Sequence, residues 1–234
     1  MMKPLYTQSD DRTSLVEEKA RKILLLGGNG QVGRKIITRA LAQGFEITAT
    51  ASNQFTIPHV ENVHRVSLDL LKVDPALLED HIRGHDVVVF ALGPEGFGKT
   101  TIYSQGIKKL LEAMENVKVY RLLIVTLDYD NPYGSFLFRT FIIKCIMSKI
   151  VKDMQAMELM LKEYSRQVGL VQFTVAKHFK LVNEGLTERY KAVRLGKRHK
   201  TAWKFQTSLD DIADFIIRES RENKFMNKYV VVGR

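Results

Sequence analysis

Two rhythms of apolar and polar positions alternate along the chain. Short runs suited to strands lie at 22–27 (KILLLG), 46–51 (EITATA), 63–67 (VHRVS), 86–92 (DVVVFAL), 120–126 (YRLLIVT), 171–177 (VQFTVAK) and 228–232 (KYVVV). Several are apolar throughout, as strands are when helices cover both faces of a sheet. Between them, apolar residues recur at helical spacing over about 31–43, 75–83, 102–115, 137–165 and 209–221. This alternation predicts an α/β fold with a doubly wound parallel sheet. The expected layout is one domain over 21–234 after a polar tail over 1–20. Right-handed crossovers then gather the strand C-termini, and any ligand, along one edge.

The first strand runs into KILLLGGNGQVGRKI (22–36), which holds four glycines. Gly28-Asn29-Gly30-Gln31-Val32-Gly33 fits G-x-G-x-x-G between a strand and a helix. There the first glycine makes the turn, the second admits a pyrophosphate and the third lets helix and strand pack closely. In this setting the motif predicts a Rossmann-like dinucleotide site. The second strand ends Thr48-Ala49-Thr50-Ala51-Ser52-Asn53, without an Asp or Glu for a ribose 2′-hydroxyl. No arginine stands there either, which leaves Ser52, Asn53, Arg34 and Lys35 as groups for a 2′-phosphate. The expected cofactor is NADP(H), ahead of NAD(H).

Composition narrows the setting. A lone cysteine, Cys145, excludes an intramolecular disulfide and a cysteine zinc cluster. With MMKPLYTQSDDRTSLVEEKA lacking a signal-peptide core, a cytoplasmic location is expected. The longest apolar stretch, FLFRTFIIKCIMSKI (136–150), carries Arg139, Lys144 and Lys149, so it predicts an amphipathic helix and no membrane span. The net charge of +10 is concentrated in 177–204, where nine Lys or Arg face only Glu184 and Glu188. Such a cluster is usually a solvated face, and it is the candidate surface for a protein partner. Phe179, Tyr190, Trp203 and Phe205 lack a repeated stacking interval, so nucleic-acid binding is not expected. His59, His64, His81, His85 and His199 show no metal-ligand spacing.

Several segments together resemble the atypical short-chain dehydrogenase/reductase superfamily, most closely its single-domain NAD(P)H-binding branch of biliverdin reductase B (flavin reductase) and NmrA-like proteins. They are LLLGGNGQVGRKI (24–36), SLDLLK (67–72), GHDVVVFALGP (84–94), TTIYSQGIKKLLEAM (100–114), VKDMQAMELMLK (151–162), FTVAKHFKL (173–181) and SLDDIADFI (208–216). Asn29 stands where threonine is usual. The resemblance implies that Gly28, Asn29, Gly30, Gln31 and Val32 line the diphosphate. It places Asp69 and Leu70 at adenine, Ala91, Leu92 and Gly93 near ribose and nicotinamide, and Thr126 beside the nicotinamide. Lys177 would stand in for the family arginine.

The chain departs from that family where chemistry is usually carried. None of its eight tyrosines has lysine four residues on, so the Tyr-x-x-x-Lys proton relay is missing. The family serine after strand five falls near Leu127. The family T-x-V-R-P becomes Thr174-Val175-Ala176-Lys177-His178. Catalytic candidates are His178 at the mouth of the substrate cleft, Tyr129 and Thr126, with Tyr133 beside Tyr129 as pocket lining. Two functions follow. One is an NADPH-dependent reductase of the flavin or biliverdin reductase type, passing hydride to a small conjugated acceptor with a solvent proton. The other is a dinucleotide-sensing regulator or assembly factor that presents the basic 177–204 segment to a partner.

Overall fold

The computed structural model describes residues 21–94, 96–129, 147–167, 169–187, 189–194 and 206–233. Its centre is β1 (Lys22–Leu26), with β2 (Glu46–Ala51) and β3 (Val63–Ser67) on one side. On the other side lie β4 (Val87–Phe90), β5 (Arg121–Leu127), β6 (Gln172–His178) and β10 (Lys228–Gly233). All of these pair in parallel, and β8 (Lys191–Arg194) closes the edge antiparallel to β10. A separate parallel pair joins β7 (Lys180–Val182) to β9 (Gln206–Ser208). The order β3-β2-β1-β4-β5-β6-β10-β8 reverses direction between β1 and β4, which is where open α/β sheets bind ligands.

The doubly wound sheet expected from the sequence is present, and alternation along β1 shows why it is covered on both faces. Ile23 and Leu25 pack with α1 (Gln31–Ala42) and α5 (Leu209–Glu222). Leu24 and Leu26 point the other way, to α2 (Pro75–Ile82), α3 (Ser104–Asn116) and α4 (Ser148–Arg166). Helix ends follow local chemistry. Asp74 caps α2, with Pro75 in the first turn, and Ser208 Oγ accepts from Asp210 N at 3.1 Å to start α5. α3 is capped from a distance: Asp153 on α4 accepts from the backbone N–H of Tyr103 and Ser104 at 2.9 and 3.1 Å.

Some expected boundaries move. The helix expected over 137–165 starts at Ser148 after Met147, and residues 130–146 lie outside the described residues. Within 137–165 the sequence contains no glycine or proline to mark a start. The strand expected over 86–92 ends at Phe90, which frees Ala91 and Leu92 to turn out at the ligand edge. The short strands β7 and β8, within the basic 177–204 segment, and β9 just after it are additions to the expected set. Tail residues 1–20, Cys145, Tyr133, Phe205 and the 195–204 part of the basic cluster also lie outside the described residues.

Candidate functional site

The glycine loop leaves β1 at the topological switch. Gly27 adopts φ +95°, and a side chain on it would come within 2.6 Å of the Ala91 carbonyl. At Gly33 a Cβ would stand 2.0 Å from the Gly27 carbonyl, so α1 closes on the loop only without one. Gly30 differs. Its φ of −70° suits any residue, and a Cβ there would meet only the Gly27 carbonyl, at 3.4 Å. The protein itself does not require glycine at 30; a group approaching from outside would. No side chain caps α1 and no acidic residue stands in its first turn, so the N–H groups of Gln31, Val32 and Gly33 are left for an anion. Asn29, Gly30 and Gln31 are exposed, and Val32 is half-buried. The loop therefore fits a dinucleotide diphosphate by both its space and its donors.

The adenosine end is furnished differently from the expectation. Ser52 is exposed at the end of β2. The Asn53 side chain is committed locally, accepting from Phe55 N at 3.0 Å to cap a 3-10 turn over Gln54–Thr56. Lys35 leans onto α5, pairing with Asp210 at 2.8 Å, and leaves the phosphate candidates. Asp69 follows β3 and is half-exposed; it accepts from Leu71 N and pairs with Lys72 at 3.1 Å. Leu70 is buried under Gly106 of α3, so only its main chain can meet a base.

At the ends of β4, β5 and β6 a recess of about 240 Å³ opens beside the loop. Val32, Ala91, Leu92, Gly93, Tyr103, Val125, Leu127, Ile150 and Met154 make its walls predominantly apolar. Thr126 and His178 also line it, and Thr126 Oγ1 and His178 Nδ1 are buried without a hydrogen-bond partner among the described residues. An unpaired buried polar atom is costly, so two at one mouth are notable. Burial pushes His178 down to about 4, against a small opposing contribution from the Phe179 backbone, and the ring is neutral at pH 7. Burial also raises the Tyr103 phenol, helped by the nearby Asp153 carboxylate, so it stays protonated.

Two candidates sit elsewhere. Lys177, expected among the cofactor contacts, points into the α3/α4 layer because it alternates with Ala176 and His178 along β6. Its side chain is fully buried, with Nζ 2.7 Å from Glu158 on α4 and 4.5 Å from the Tyr129 ring centre. It is therefore neither a rim cation nor part of a solvated basic face. Tyr129, expected to face substrate, turns inward to that ammonium and joins the core. The register β5–β6 sets Thr126 beside Lys177 and Leu127 beside His178, so the buried pair lies directly under the recess. A larger hollow of about 640 Å³ at the opposite edge, lined by Lys22, Glu46, His64 and Arg83, is open and lies away from the loop. Lys22 there is already paired with Glu46 at 2.9 Å. Among the described residues no helix is long and apolar enough to cross a membrane, and no group of three potential metal ligands occurs.

A family model described as NAD(P)H-binding matches residues 27–222. Solved structures share the fold over most of their length. The short-chain dehydrogenase/reductase from Veillonella parvula DSM 2008 in complex with NADP is 16% identical, with a TM-score of 0.73 covering 92% of this chain and 94% of that one. The oxidoreductase ylbE from Lactococcus lactis is 18% identical, with a TM-score of 0.71 covering 91% and 90%. A candidate NADH-flavin reductase from Streptococcus pneumoniae TIGR4 is also 18% identical, with a TM-score of 0.70 covering 92% and 100%.

Proposed function

The chain belongs to the NAD(P)H-binding family, and on that premise we propose that it is an NADP(H)-dependent reductase of the flavin reductase type, acting in the cytoplasm on a flat conjugated acceptor. The observation that carries this reading is the predominantly apolar recess beside the glycine loop, where Thr126 Oγ1 and His178 Nδ1 are buried without a partner among the described residues. When bound, the reduced nicotinamide supplies a hydride. The chain's own residues position and shield. The α1 N-terminus holds the diphosphate, the Ala91–Gly93 turn supports the ribose, and Val32, Leu92, Val125 and Leu127 exclude water. Thr126 and His178 offer hydrogen bonds to one edge of a ring. Neutral at pH 7, His178 is a poor acid, so the proton that completes reduction comes from solvent. No lysine or arginine lines the recess among the described residues, which favours an uncharged ring over an acceptor held by its carboxylates.

Leu127 in the recess, where the resemblance expects a serine, favours the second reading, a dinucleotide sensor without turnover. Purified protein with NADPH and a panel of flavins and quinones separates the two. Oxidation of NADPH dependent on one acceptor is expected. NADPH binding with no turnover across the panel would refute the reductase and leave the sensor.

A further inference from the structure

We propose that Arg34 reads the 2′-phosphate of the dinucleotide, in place of the arginine that the end of β2 lacks. The assignment rests on the NADP(H) reading above. Arg34 lies in the first turns of α1, and its guanidinium reaches between the two loops that border the adenosine end. Nε donates to the Asn29 carbonyl in the glycine loop at 3.0 Å, and Nη2 donates to the Thr56 carbonyl in the turn after β2 at 3.2 Å. β1 and β2 are neighbours in register, so a ribose that follows a diphosphate on the glycine loop would lie toward the end of β2, the side on which Arg34 bridges the two loops.

The charge of Arg34 is free to act outward. Its two fixed bonds go to neutral carbonyls, which orient the planar fork without neutralising it, and three of its five N–H donors remain. Two neighbouring cations are neutralised, Lys35 by Asp210 and Lys72 by Asp69. Arg65 on β3 keeps its charge, but it is held by a single long bond to the Ile57 carbonyl at 3.5 Å, whereas Arg34 is oriented by two shorter ones. The residues at the end of β2 oppose nothing, since Ser52 and Asn53 replace the acidic residue that would repel a phosphate. The exposed Ser52 stands at the same end of β2 and can add a hydroxyl. Phe55, 79% exposed on the turn that Arg34 anchors, presents an apolar face beside it.

Calorimetric titrations of the full chain with NADPH, NADH, adenosine 2′,5′-bisphosphate and 5′-AMP test this. The last two differ only in the 2′-phosphate. The parent should favour the 2′-phosphorylated member of each pair. Arg34→Gln should weaken that member by about tenfold to a hundredfold, the range of a charge-assisted contact, and leave NADH and 5′-AMP within about twofold. Arg34→Lys, which keeps the charge and loses the fork, should recover part of the loss. An unchanged NADPH to NADH ratio in Arg34→Gln would overturn the assignment. So would an equal loss for both, which would make Arg34 a brace of the loop, or a loss of preference in Arg65→Gln instead. A folded parent that binds neither dinucleotide would defeat the cofactor reading itself, and the assignment with it.

Discussion

Glu158→Gln isolates what the buried charge under the recess does. Lys177 Nζ lies 2.7 Å from Glu158 Oε1, with side-chain exposures of 0% and 11%. Removing one partner of such a pair strands the other charge and costs about 3–5 kcal/mol. The rings of Tyr129 and Tyr229, at 4.5 and 5.9 Å from the ammonium, offset part of this, about 1–2 kcal/mol. The net loss is then about 1–4 kcal/mol, a large share of a stability on the order of 5–15 kcal/mol. With a urea slope of about 2 kcal/mol/M, the unfolding midpoint should drop by about 0.5–2 M. The double variant K177M/E158L removes both charges and should regain most of that loss, because an apolar replacement of a buried pair is often neutral. Neither side chain lines the recess, so K177M should keep the parent's NADPH affinity. Urea melts at pH 7 on the parent, both single variants and the double provide the cycle. A drop below about 0.5 kcal/mol for Glu158→Gln, or a double variant no better than the single, would refute the argument.

Gly30→Val should fold, since its side chain meets only one carbonyl, yet lose about tenfold or more in NADPH affinity, roughly 1.4 kcal/mol. Gly33→Ala, whose Cβ would overlap the Gly27 carbonyl, should fail to fold stably; calorimetry and thermal melting on the pair check both, and unchanged affinity in Gly30→Val would remove the diphosphate from the loop. His178 titrates lower in the folded chain, about 4 against 6.5, so the unfolded chain binds the proton more tightly. Its contribution is therefore intact above about pH 6.5 and lost as pH falls toward 4, with a ceiling of about 3 kcal/mol because the residue as a whole is only half-buried. Urea melts from pH 7 to 4.5 should show this slope in the parent and a flatter one in His178→Phe; parallel slopes would contradict it.

The sheet was legible because its signal is repetitive. β1, β4 and β5 are apolar on both faces, and only a sheet covered twice by helices can hide such strands. Residues 191–194 and 206–208 gave no such signal. KAVR and QTS are short, half-polar edge pieces, held by pairing to β10 and β7 rather than by their own pattern. The capping of α3 was equally hidden, because its carboxylate, Asp153, lies about fifty residues away in sequence and is brought there only by the packing of α4. The same holds for Arg121, whose pairing with Glu219 at 2.6 Å joins β5 to the end of α5.

At the site, legibility followed the backbone and failed at the side chains. The glycine spacing located the loop because close approach is a main-chain requirement, and sequence records it as missing Cβ atoms. Gly30 is the informative one, since neither its dihedral angles nor its neighbours ask for glycine. Lys177 and Tyr129 were misplaced because the family motif gives a position on β6 or after β5 but not the face on which the residue lands. Strand alternation held the clue: Phe173 and Val175 face the α3/α4 layer, so Lys177 must face it too, and a lysine enclosed there needs a carboxylate. Glu158, on the buried face of α4 beside Met154, Met157 and Leu161, is that carboxylate. Once the pair neutralises itself beneath the floor, the recess keeps a neutral imidazole and a hydroxyl as its unpaired buried groups among the described residues, and the proposed electrostatic reading of the cofactor falls to Arg34, held between two loops.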